Sequence, residues 1–78
     1  MTTFEKLQHA IATTLNVPAT TITETTTAED IAAWDSLGHV NLMMTLGQTF
    51  GVLLDVEDFS RLNSVPAMIA FLREQGIE

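Results

Sequence analysis

From Leu37 to Leu54 the chain contains no Asp, Glu, Lys or Arg, and this uncharged run most narrows what it can become. Its length approaches that of a membrane span. His39, Asn41, Thr45, Gln48 and Thr49 interrupt it, however, and it holds Gly38, Gly47 and Gly51. The spacing instead predicts an amphipathic helix from Ser36 to about Phe50, started by Asp35 as N-cap and ended by Gly51. Leu42, Met43, Leu46 and Phe50 form one apolar stripe on it, and Leu37, Val40 and Met44 form a second beside the first. One core contact needs one stripe, so the second is left to meet another helix, a cargo or a partner.

The segments on either side fit the same helical reading. Thr2-Thr3-Phe4-Glu5 has the pattern of a capping box. Phe4, Leu7, Ile11 and Leu15 then recur at helical spacing, predicting a first helix from Thr3 to Leu15 that Asn16 and Pro18 terminate. From Asn16 to Trp34 no period is visible. The threonines at 20, 21, 23, 25, 26 and 27 disfavour a helix there through β-branching and competition for backbone hydrogen bonds. A loop of that length inside a small domain has to be pinned, and Ile22, Ile31 and Trp34 are the candidates. A short strand near Thr21 to Thr23 is conceivable but has no evident pairing partner. Asp55 caps a short helical piece from Val56 to Arg61, anchored by Val56 and Phe59. Ser64 caps a last helix with Pro66 in its first turn, Val65, Ile69 and Leu72 facing inward, Met68 beside them, and Gly76 closing it. The expectation is one domain over residues 1–78, all-α: a small irregular four-helix bundle of three main helices, one short helix and a long first loop.

Composition excludes several functions. Ten acidic residues against Lys6, Arg61 and Arg73 give a net charge of −7, which repels nucleic acid and attracts basic protein surfaces. The chain has no cysteine and two histidines, a poor metal set, and its acids do not follow a calcium-loop pattern. No glycine-rich phosphate loop is present. The opening residues lack the basic stretch and apolar run of a signal peptide, so a cytoplasmic, membrane-free protein is expected. Asp35, Ser36 and His39 are the residue types of a hydrolase triad, but a triad needs the acid behind the histidine and the serine before it, and here acid and serine are neighbours. Without a base, Ser36 reads as a place of attachment. A helix head offers free N–H groups and a positive dipole end to a phosphate.

Asp35-Ser36-Leu37 at the head of the second helix, the long loop before it, Phe50-Gly51-Val52 after it and the short helix before the last together resemble the acyl carrier protein family over essentially the whole chain. The resemblance implies a carrier without catalysis of its own. Ser36 would bear 4′-phosphopantetheine through a phosphodiester, and the thiol of that arm would hold cargo as a thioester. The implied partners are a phosphopantetheinyl transferase, which brings magnesium and coenzyme A, an acyl or aminoacyl ligase or acyltransferase for loading, and condensing or transfer enzymes downstream. Docking is expected through Asp35, Leu37, Val40 and Met44, with Glu57 and Asp58 at the side; Asp35 also serves as a cap. Fatty-acid carriers place several acids on the second helix. Here its only acid is the leading Asp35, while others lie at Glu29, Asp30, Asp55, Glu57 and Asp58. That departure points to a specialised fatty-acyl or polyketide-type pathway, with an aminoacyl carrier as the alternative. A different class, a small acidic helical interaction module without a prosthetic group, would use the second stripe as a groove or ridge. A monomer is expected, against a homodimer burying that stripe.

Smaller features have two readings each. Met43, Met44 and Met68 either fill the core or line an expandable acyl pocket. Gly38 and Gly47 either admit a partner closely or ease helix packing. His39 is expected in the bundle at the edge of the first stripe, His9 at the surface or between helices, and Trp34 as a loop anchor whose ring could shield the base of the arm.

Overall fold

The computed structural model describes residues 2–77; Met1 and Glu78 lie outside them. Four helices occur in the order α1 (Thr3–Leu15), α2 (Ser36–Phe50), α3 (Val56–Arg61) and α4 (Val65–Glu74). Local chemistry explains each boundary. At α1, the Thr2 hydroxyl accepts from Glu5 N at 3.1 Å and the Glu5 carboxylate accepts from Thr2 N at 3.0 Å. Asn16 then turns the chain out of the helix in the left-handed region, φ 57°. Gly51 ends α2 in the same region at φ 65°. Ser64 caps α4 by accepting from Ala67 N at 3.1 Å, with Pro66 in the first turn, where no intrahelical donor is required of it.

α1 packs along α2, and the Thr14 hydroxyl donates to the Thr45 hydroxyl at 3.0 Å across that seam. Leu7, Ile11 and Leu15 of α1 and Leu42, Met43 and Leu46 of α2 are buried, with Phe4 and Phe50 half-buried at the ends of their stripes. α4 contributes Val65, Met68, Phe71 and Leu72; its inward face is thus rotated toward Phe71, and Ile69 sits at the edge. Met43 and Met68 are core residues, whereas Met44 is exposed.

The long loop is tied down at three places. Ile22, Ile31 and Trp34 are buried, as expected of the residues that pin the loop. Gln8 Nε2 donates to the carbonyls of Ala19 and Ile22, each at 2.9 Å, clamping the loop to α1. No strand forms at Thr21 to Thr23: residues Ala19–Thr21 make a 3₁₀ turn, and a second one spans Ala28–Asp30. Bridge pairing occurs further on, between Thr27 and Ser64. There Ala28 N donates to Asn63 O at 2.9 Å and Val65 N donates to Thr26 O at 2.8 Å. The loop thereby closes against the head of α4 and delivers Trp34 and Asp35 to the head of α2.

Among the described residues, no helix is long and apolar enough to cross a membrane and no group of His, Asp and Glu could hold a metal ion.

Candidate attachment site at the head of the second helix

Three constraints place Ser36. The first is the cap: Asp35 is extended, and its Oδ1 accepts from Gly38 N at 2.8 Å while its carbonyl accepts from His39 N at 2.8 Å. The second is close packing at Gly38. A Cβ there would overlap the Ala33 carbonyl oxygen and come within 3.0 Å of Leu15 Cδ2 of α1, so only glycine lets the helix head sit this near the loop backbone. Of the two readings of Gly38, helix packing is the one the structure realises. The third is Trp34, 5% exposed, whose backbone N donates to Ile31 O at 3.0 Å. Held in this way, Ser36 is the first residue of α2 and is exposed.

His39 lies one turn into α2 and bridges two elements. Trp34 Nε1 donates to His39 Nδ1 at 3.0 Å, and the two rings stack with centroids 6.3 Å apart and planes 21° from parallel. Since Nδ1 accepts, the ring proton sits on Nε2, which donates to the Phe59 carbonyl of α3. His39 therefore works as a tie between the loop, α2 and α3. His9 is exposed on α1. Beside Ser36 a groove of about 420 Å³ is lined by Ser36 and His39 of α2, Phe59 and Ser60 of α3, and Trp34 and Asn63 of the flanking segments.

The second apolar stripe of α2 faces outward: Leu37 is 70%, Met44 56% and Val40 43% exposed. Two further exposed apolar side chains, Leu53 (92%) and Val56 (88%), extend this character into the segment after α2. Val56 was expected to anchor α3; it is the first residue after the Asp55 cap, turned outward, and Phe59 alone packs against the core. No local signal marked this, since Val65 holds the same position after the Ser64 cap and is fully buried.

Asp58 departs from its expected place on the docking surface. It is buried, accepts from Asp55 N at 2.9 Å and pairs with Arg61 at 2.8 Å. The Asp55 N–H and then the Arg61 guanidinium hold its carboxyl below the usual carboxylate range, against the opposing effect of desolvation. Its role is to cap α3. Glu57 remains exposed at the same end of that helix.

Ser36 is thus an exposed serine at the first position of a capped helix on an acidic four-helix bundle, which makes it the candidate for an attachment site. Comparison with known proteins gives the family. A family model described as a phosphopantetheine attachment site matches residues 5–72. An acyl carrier protein of Helicobacter pylori (strain G27) is 35% identical over 78 residues, covering 99% of each chain. One from Thermosynechococcus vestitus is 35% identical over 72 residues, covering 91% of this chain and 88% of its own. The chain belongs to the acyl carrier protein family: it is a carrier rather than a catalyst, its prosthetic group is 4′-phosphopantetheine, and its partners include a phosphopantetheinyl transferase and acyl-handling enzymes.

Proposed function

We propose that Ser36 is the residue that carries 4′-phosphopantetheine and that the protein serves a specialised fatty-acyl or polyketide-type pathway. The observation that carries the first part is the exposure of Ser36 at the first position of α2. The residues present fit the group. Asp35 Oδ1 occupies Gly38 N, leaving the amides of Ser36 and Leu37 at the positive end of the helix for the phosphodiester. The adjoining groove leaves room beside the serine. On a transferase, the Ser36 hydroxyl oxygen would bond to the pantetheine-bearing phosphorus of coenzyme A. The pyrophosphate P–O bond breaks, adenosine 3′,5′-bisphosphate leaves, and the hydroxyl proton passes to the transferase. The thiol so supplied holds cargo as a thioester.

The second part rests on the distribution of charge. Along α2 the exposed trio Leu37, Val40 and Met44 has no acid beyond the capping Asp35, and Glu57 lies to the side on α3. A partner would meet an apolar strip with charge at its margins, so docking depends on shape and apolar contact more than on a row of carboxylates.

Intact mass after incubation with coenzyme A, magnesium and a broad-specificity transferase tests the attachment. Gain of one phosphopantetheine by the parent and none by Ser36→Ala is expected. An unmodified parent, with an active transferase control, would refute the assignment and move the interaction-module reading forward.

A further inference from the structure

We propose that the Trp34–His39–Phe59 bridge is a latch that bars linear acyl chains from the core, so that cargo on the Ser36 arm stays in the surface groove. The proposal rests on Ser36 being the attachment residue. Beginning at that residue, a chain could enter the bundle between α2 and α3, since Ser36 and His39 line one side of the groove there and Phe59 and Ser60 the other. His39 spans this gap with both ring nitrogens engaged, one by the indole N–H and one by the Phe59 carbonyl. It stands one helical turn before Met43 on the same face, and Met43 is wholly buried with Leu62 and Met68. Entry would break both hydrogen bonds and leave the indole N–H and the Phe59 carbonyl facing apolar methylenes, a substitution that burial penalises.

The groove itself suits a different ligand chemistry. The Ser60 hydroxyl donates to Glu57 O at 3.0 Å and retains its acceptor lone pairs, and the exposed Asn63 adds an amide. These groups match the amides of a pantetheine arm and a short or polar acyl group, and offer little to a long saturated chain. The latch thus selects cargo by length and polarity.

The methionines provide the test: Met43 and Met68 report on the core, and Met44 on the exposed face of α2. Protein labelled at the methionine methyls is converted to the phosphopantetheine form and then to the octanoyl form, with mass confirming each step. In the parent, octanoylation is expected to leave the Met43 and Met68 methyl resonances in place and to change the melting temperature by less than about 3 °C, whereas a buried eight-carbon chain would raise it by more than about 10 °C. In His39→Ala, checked for helical content, octanoylation is expected to move the Met43 resonance and raise the melting temperature above that of its own unacylated form. Core shifts in the parent overturn the latch, as does a folded His39→Ala that behaves like the parent. If His39→Ala does not fold, the parent comparison decides alone. Absence of any mass gain on Ser36 instead overturns the attachment assignment, and the latch with it.

Discussion

Replacing Gly38 by alanine should destabilise the protein although it puts a better helix former inside a helix. Alanine is favoured over glycine in helices by about 1 kcal/mol. Against this, the new Cβ would overlap the Ala33 carbonyl oxygen and press on Leu15 Cδ2 at 3.0 Å. Overpacking costs about 1–3 kcal/mol, and the upper end applies because the obstacle is backbone rather than the tip of a flexible side chain. A net loss of about 2 kcal/mol remains, equivalent to a fall of about 10 °C in melting temperature for a domain of this size. Two other glycines calibrate the result. At Gly47 the added Cβ would lie 3.2 Å from Val52 O, a tight contact that a shift of a few tenths of an ångström relieves, and 3.8 Å from Leu54 Cδ1; this cost offsets the helix preference for alanine, so the variant should melt within about 3 °C of the parent. Gly51 faces open space but has φ 65°, so alanine there costs about 1 kcal/mol of backbone strain. Circular dichroism melts at one pH, supported by urea titration, should rank Gly47→Ala nearest the parent, Gly51→Ala below it and Gly38→Ala lowest. A Gly38→Ala protein melting at or above the parent would refute the argument, because the helix head could then move off Ala33 at no cost.

Asp35→Ala should lose about 1 kcal/mol by freeing Gly38 N while Asp35→Asn stays near the parent; equal melts for all three would remove the capping role. Asp58 and Glu5 have carboxyls held below their ordinary range, Asp58 first by the Asp55 N–H and Glu5 first by the Thr2 N–H. A folded-state pKa below the unfolded one contributes stability that is complete above the unfolded value and is lost as pH falls through the folded one. Melting temperature should therefore drop on acidification through the carboxylate range, and Asp58→Asn, which keeps an oxygen acceptor without titrating, should show a shallower drop; an unchanged acid limb would contradict this. Met44→Glu should leave stability within about 0.5 kcal/mol, since the side chain is largely exposed, yet slow modification by the transferase severalfold. Met43→Glu, one residue earlier and buried, should unfold the protein, and parity between the two variants would show that the stripes are misassigned.

The helices and their ends are legible from neighbouring residues in the chain. Thr2 with Glu5, Asp35 with Gly38, Asn16, Gly51 and Ser64 each act within three or four residues, and the 3.6-residue period needs no distant partner to be read. The sequence also marked Ser36, through Asp35-Ser36-Leu37 at the head of an uncharged helix, but its exposure was settled by packing, since Val65 holds the same position in α4 and is fully buried. Other features arise only where distant segments meet. Residues 26–28 pair with residues 63–65 across more than thirty positions, and Gln8 finds its two carbonyl partners in a loop that shows no period. Asp58 is turned inward and Val56 outward by the way α3 seats on the core, which its six residues are too short to specify. The Trp34–His39–Phe59 tie likewise joins three segments whose proximity exists only in the folded chain. Capping and periodicity are local and additive along the chain; burial and hydrogen bonding between distant segments depend on which surfaces meet, and that is settled only when the whole bundle packs.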